Sequence, residues 1–156
     1  MDRCQHLAAA AGAALALLAG LDWPARITPS LAIAPDGSYH AAWFTGGSAR
    51  QGLFYARADN ADAAFGAPRA LSSPRPPARP FVLATAKAVH LVLKEVSRRR
   101  RWRWEISRDG GRQWSEPRTV AESVDASHHP LLIARGPQVF LSWLTKNEGY
   151  RLIAIG

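Results

Sequence analysis

At 156 residues the chain suits one ordinary domain, and with 47% hydrophobic residues it can bury a core, which excludes a disordered chain. Twenty Lys and Arg against 12 Asp and Glu give a net charge of +8, which suits nucleic acid, an anionic surface or an acidic substrate, and equally an Arg-rich coding bias, since Arg far outnumbers Lys and Ala is abundant. The one cysteine, Cys4, excludes an intrachain disulfide and a zinc site of the four-cysteine type.

Residues 1–25 form a signal-like apolar segment, with an uncharged Ala/Leu run from Leu7 to Leu21 that predicts a helix. It is short for a membrane span, which needs about 20 residues, and has the length of a secretory h-region. Asp2 and the large residue of Leu18-Ala19-Gly20 depart from a secretory signal, and a helix from an upstream fragment or a misplaced start are the competing readings. The expected location is periplasmic or secreted.

From residue 26 onward the sequence repeats. Pro29, Pro80 and Pro130 each open a segment that reads strand, tight turn, strand, and they lie 51 and 50 residues apart. Asp36-Gly37 is a hairpin signal because Gly supplies positive φ; Lys87 and Gly136 fall near the matching turns. A second landmark, Phe65-Gly-Ala-Pro-Arg-Ala-Leu71, recurs as Trp114-Ser-Glu-Pro-Arg-Thr-Val120, 49 residues on. Strands are expected near 30–35, 39–44, 52–58 and 68–72, then 81–85, 88–95, 101–107 and 117–121, then 131–134, 138–144 and 149–155. The prolines of 72–80 forbid a central strand and predict an extended connector. Four strands every 40–50 residues suggest propeller blades, here near 29–72, 80–121 and 130–156. The expected class is all-β: a partial β-propeller of about two and a half to three four-stranded blades, after an apolar signal-like helix.

One turn, Ser107-Arg-Asp-Gly-Gly-Arg-Gln-Trp114, is more specific. Asp109 can bond backbone N–H groups of its own turn, Gly111 can take positive φ, Trp114 offers an apolar plate, and the Ser107 hydroxyl can close the turn. The pattern Ser-x-Asp-x-Gly-x-x-Trp resembles the Asp box of the bacterial neuraminidase repeat of sialidases and sialidase-like propellers. The matching positions of the first unit, Ala58, Asn60, Asp62 and Phe65, keep only the aromatic residue. The resemblance covers residues 26–156 and bears on fold far more than on activity, since the box is a structural device of that family.

Sialidases hold the substrate carboxylate with three arginines and use a Tyr/Glu nucleophile and an Asp acid/base. The resemblance offers Arg26, in Ala25-Arg-Ile-Thr-Pro29, for the carboxylate cluster, although Thr28 is inserted and the preceding aromatic is missing. Tyr39, Tyr55 and Tyr150 fit the nucleophile in type only. A six-bladed ring would need about three hundred residues at this period. The expected alternatives are a fragment with missing blades, self-association of copies of the chain, or a degenerate remnant, with a glycan or protein as ligand.

Arg98, Arg99, Arg100 and Arg101 form a polyanion-binding candidate, interleaved with Trp102 and Trp104. Read as structure, 97–100 is a loop and the tryptophans alternate with Arg101, Arg103 and Glu105 along a strand. No sequence-specific nucleic-acid partner is implied. His128-His129 would point to opposite sides of a strand, against a joint metal site, and His40 and His90 share a repeat position that suits packing or hydrogen bonding. Gly46-Gly47-Ser48 lacks the context of a phosphate loop, so neither cofactor nor metal is expected. The readings in order are a degenerate, non-catalytic sialidase-like binding or scaffold module, an exo-sialidase fragment, and a basic surface-binding protein.

Overall fold

The computed structural model describes residues 29–45, 52–71 and 77–156. The expected apolar helix, Arg26 and the Gly46-Gly47-Ser48 connector lie outside the described residues. Within them the protein is all-β, with eleven strands in three antiparallel sheets. The first sheet is β1 (Ser30–Ile33), β2 (Tyr39–Thr45), β3 (Gly52–Ala58) and β4 (Arg69–Leu71), in that spatial order. The second is β5 (Pro77–Ala84), β6 (Val89–Val96), β7 (Arg100–Ser107) and β8 (Arg118–Ser123), ordered likewise. The third is β9 (Leu131–Arg135), β10 (Gln138–Thr145) and β11 (Gly149–Ala154).

Short turns force neighbouring strands to pair antiparallel. Gly37 and Gly136, at φ +85° and +57°, make the turns before β2 and β10, while Thr85 closes the turn before β6 by accepting from Lys87 N and Ala88 N. The Pro-rich connector yields in one place: β5 begins at Pro77, inside the stretch expected to be strandless. It can do so because β5 is an edge strand, where proline leaves no ladder bond unmade on the open side. The ladder slips between Ala78 and Phe81, and Arg79 there takes φ +40°.

The second sheet is the middle layer. Val82, Val89, Leu91 and Leu93 pack against Ala42, Leu53, Tyr55 and Leu71 of the first sheet. Its opposite face sets Val92, Trp102 and Trp104 against Leu132, Val139, Leu141 and Trp143 of the third. Period-two alternation sends Val89, Leu91 and Leu93 of β6 to the first of these cores and Val92 to the second, where Trp102 and Trp104 of β7 join it. The Trp102 ring is fully buried, 4.6 Å from that of Trp143. Because both faces of β7 are covered, Glu105 opposite Leu91 is buried too. Burial pushes its carboxyl up to about 7, against the pull of Arg103.

Candidate functional site

The Ser107–Trp114 turn is closed from within. Ser107 Oγ donates to Asp109 Oδ1 (2.8 Å) and accepts from Gly111 N (2.8 Å). The same carboxylate oxygen accepts from Arg112 N (3.0 Å) and Gln113 N (2.9 Å), and these bonds, with that from Ser107, hold Asp109 below the usual carboxylate range. Trp114 Nε1 donates to Gly111 O at 3.2 Å. Gly110 and Gly111 both have positive φ. Ser115 N donates to Ile106 O across the base of the turn, and Gly66 N to Arg57 O in the first sheet, each at 2.9 Å. The first-sheet turn thus keeps its skeleton bond, although Asn60 has replaced the aspartate and accepts only from Asp62 N.

This turn leans on the first sheet. A Cβ on Gly111 would lie 1.8 Å from the Tyr55 hydroxyl, so the glycine is needed for space as well as for φ. The Trp114 ring meets Tyr55 edge-on, with centroids 5.0 Å apart. Arg69 NH1 donates to Arg112 O, tying β4 to the same turn. One repeat later Arg118 NH2 donates to Ile155 O of the third sheet (2.7 Å), its guanidinium lying 4.2 Å over the Trp104 ring. The recurring Pro-Arg landmark therefore marks a tie from each sheet to the next.

Between the turn, the β1–β2 hairpin and the β5–β6 hairpin lies a cleft of about 400 Å³, lined by Asp36, Ser38, His40, Lys87, Arg108 and Gly110 among others. A chain of hydrogen bonds runs inward from it. Asp36 Oδ1 accepts from Ser38 N (2.9 Å) and Ser38 Oγ (2.6 Å), and these bonds hold its carboxyl below the usual range. Ser38 Oγ lies 2.9 Å from His40 Nε2, and His40 Nδ1 lies 2.6 Å from the Tyr55 hydroxyl. An ionised carboxylate can only accept, so it fixes the direction of the whole chain. Ser38 gives its proton to Asp36 and accepts from His40 Nε2–H, and the Tyr55 O–H donates to Nδ1. Burial, helped by the nearby Arg57 charge, lowers the His40 pKa to about 4, so the ring is neutral. Burial raises the Tyr55 pKa above its ordinary value.

This polarity decides the chemistry. Ser38 cannot hand its proton to His40, so the pair is not a nucleophile and its base. Tyr55 is a neutral donor inside a seam between sheets. What faces solvent is a carboxylate fixed by its own turn, with Lys87 and Arg108 on the rim, a set suited to recognition of polar or anionic groups. Among the described residues no group of three or more His, Cys, Asp or Glu could hold a metal ion.

His90, one repeat after His40, is likewise buried, stacks on Trp104 and accepts its indole N–H at 3.3 Å. Its pKa is lowered to about 4, mainly by burial. At the opposite end of the sheets, β7 begins one residue earlier than expected, at Arg100. Arg98 and Arg99 are exposed, Arg99 and Arg101 share Glu122 at 3.8 and 2.8 Å, and Arg100 NH1 donates to Val124 O. Buried Lys94 spends its ammonium on the carbonyls of Ser127 (2.6 Å) and His128 (3.4 Å). His128 and His129 are exposed beside that tie.

Ser38, Lys87 and Arg108 are the cleft residues that sequence reasoning did not join. Asp36-Gly37 and the repeated His40 were both visible, but Tyr55 meets His40 only through the β2–β3 register, which pairs Ala42 with Tyr55. Comparison with known protein families, curated proteins and solved structures finds no match to this chain.

Proposed function

We propose that the chain is a segment of a sialidase-like β-propeller that serves as a glycan- or protein-binding scaffold without hydrolytic activity. The stacking of like sheets, the recurring Arg ties and the fully bonded Ser107–Trp114 turn support the propeller part of this reading. One observation carries the non-catalytic part. Tyr55 is committed to a neutral histidine, Tyr150 to Ser142, and Tyr39 packs beside Ala58, so among the described residues none of the three tyrosines hydrogen-bonds a carboxylate. A tyrosine nucleophile needs such a base beside it. The cleft supplies the binding part, with Arg108 and Lys87 facing an acidic sugar or peptide group and Ser38 and Asp36 beneath.

The test joins a fluorogenic sialoside assay to calorimetric titration with a sialylated and a neutral oligosaccharide. The expected result is no turnover above buffer, with binding of the acidic sugar weakened about tenfold by Arg108→Ala with Lys87→Ala. Turnover that Tyr55→Phe abolishes would establish the enzyme instead. The basic turn gives a second reading, favoured by the exposure of Arg98 and Arg99. It requires binding to a sulfated polyanion that weakens with salt and is lost on neutralising Arg98, Arg99, Arg100 and Arg101.

A further inference from the structure

We infer that Arg79, Lys94 and His129, at the end of the sheets opposite the cleft, form a second binding site, which takes the tetrahedral oxyanion of a phosphate or sulfate ester. The site is independent of the cleft and of the propeller reading. It differs from the exposed basic turn at Arg98 and Arg99 in having a buried charge, that of Lys94, at its centre.

Arg79 has the one positive φ of any residue other than glycine among the described residues, +40°. An L side chain resists that region, and a residue before proline, here Pro80, is steered to extended backbone. A conformation opposed on both counts is imposed by its surroundings, and such positions gather where ligands bind. Glycine would take this φ without strain, yet the position carries an exposed arginine. The strand register places it. Ala78 is the partner of Lys94, and the β5–β6 ladder slips directly after it, so Arg79 leaves the strand beside Lys94.

Lys94 is only 6% exposed, and its ammonium donates to the carbonyls of Ser127 and His128, which brings the segment before β9 to the same place. A buried lysine is ordinarily paired with an opposite charge. Among the described residues no carboxylate forms an ion pair with Lys94. The acids closest in sequence are turned away or spent. Pleating sends Glu95 to the other face of β6, Asp125 accepts from Ala126, Asn147 and Glu148, and Glu122 takes Arg99 and Arg101. The charges acting on this spot are cationic. Burial and Arg100 lower the Lys94 pKa, and burial, then Arg79, Lys94 and His128, lower that of His129. An anion is the partner that relieves all of them. A carboxylate is satisfied in one plane by a single guanidinium fork. Here the donors come from the β5 bulge, from β6 and from the segment before β9, which suits an oxyanion with three or four acceptor oxygens. His129, neutral at pH 7, gives one N–H, and the buried Ser127 hydroxyl, unbonded among the described residues, is a further donor of that segment.

The test follows the His128 and His129 imidazole signals of the full chain by NMR, as sodium phosphate or sodium sulfate replaces chloride at constant ionic strength. These signals read this site and not the cleft. Both anions should shift them to saturation, and acetate should bind at least tenfold more weakly. Arg79→Gly and Lys94→Met should each weaken phosphate binding about tenfold. Lys94→Met also loses the bonds to the Ser127 and His128 carbonyls and can disturb the fold, so Arg79→Gly decides. Glycine relieves the positive φ, and its urea midpoint should stay at or above that of the wild type while binding falls. The absence of a saturable shift, equal binding of acetate, or phosphate binding that Arg79→Gly leaves unchanged overturns the inference. So does an Arg79→Gly midpoint well below wild type, which marks the arginine as a structural brace. Glucose 6-phosphate and glucose 6-sulfate distinguish the two sources of the anion by which binds more tightly, and binding of neither overturns the ester.

Discussion

At Gly111 two constraints coincide that are separate elsewhere in the chain. Its φ is +89° and its missing Cβ makes room for the Tyr55 hydroxyl, whereas Gly136 has φ +57° and nothing within 4 Å of a Cβ. Gly136→Ala should cost about 1 kcal/mol, the backbone penalty alone. Gly111→Ala must also displace a buried tyrosine from His40 and should cost at least about 3 kcal/mol. Urea denaturation of the two variants measures the difference, and equal losses would show that the Tyr55 contact carries no weight. Titration offers a second handle at this scale. His40 and His90 are lowered to about 4 from 6.5, and His129 is lowered as well. Above pH 6.5 both states are neutral and the stability is fully present. As pH falls from 6.5 towards 4 the unfolded chain takes up protons that the folded rings refuse, so stability declines, by roughly 3 kcal/mol for each of the two buried rings. Glu105 works the other way, because its folded pKa is raised to about 7. Its contribution is present below about pH 4.5 and is lost as pH rises through 7. Glu105→Gln should therefore be more stable than wild type at pH 8 by about 1–3 kcal/mol, with the advantage gone by pH 5. Urea midpoints at the two pH values check this, and a pH-independent difference would remove titration of Glu105 as the cause.

The elements themselves were largely legible in the sequence. Glycine turns and alternation are local signals, and a fifty-residue period repeats them, so that together they mark the strands from β1 to β11. The sequence pattern starts β5 four residues late, at 81 and not at Pro77, since proline content speaks against a strand without saying whether that strand is at an edge. The ties between sheets were visible only as repeated letters. Pro68-Arg69 and Pro117-Arg118 recur, but that each arginine reaches the next sheet depends on packing that no period encodes. For the same reason the cleft was not legible: Ser38, Lys87 and Arg108 come from three turns that only the stack of sheets brings together. Arg118 gives the element-scale test. It lies over Trp104 and holds the carbonyl of Ile155, so Arg118→Ala should cost about 1–2 kcal/mol and expose the end of β11 to limited proteolysis. Arg118→Lys should recover little, because an ammonium lacks the planar face that stacks on indole. Full recovery by lysine would reduce the tie to a simple charge.

Across the whole molecule the three sheets are unequal in what must be lost to open them. β6 lies between β5 and β7, and its residues from Val89 to Glu95 are all buried. Exposing its amides means parting the second sheet from both neighbours, undoing the Leu91 and the Trp102 cores together. β11 lies at the edge of the third sheet, and Tyr150, Arg151 and Leu152 are exposed. It can part from β10 while the middle layer stays shut. Native-state hydrogen exchange should accordingly find β6 amides opening only with global unfolding, and β11 amides opening at least about 2 kcal/mol more easily. Uniform protection across the three sheets would mean that the stack unfolds as one unit.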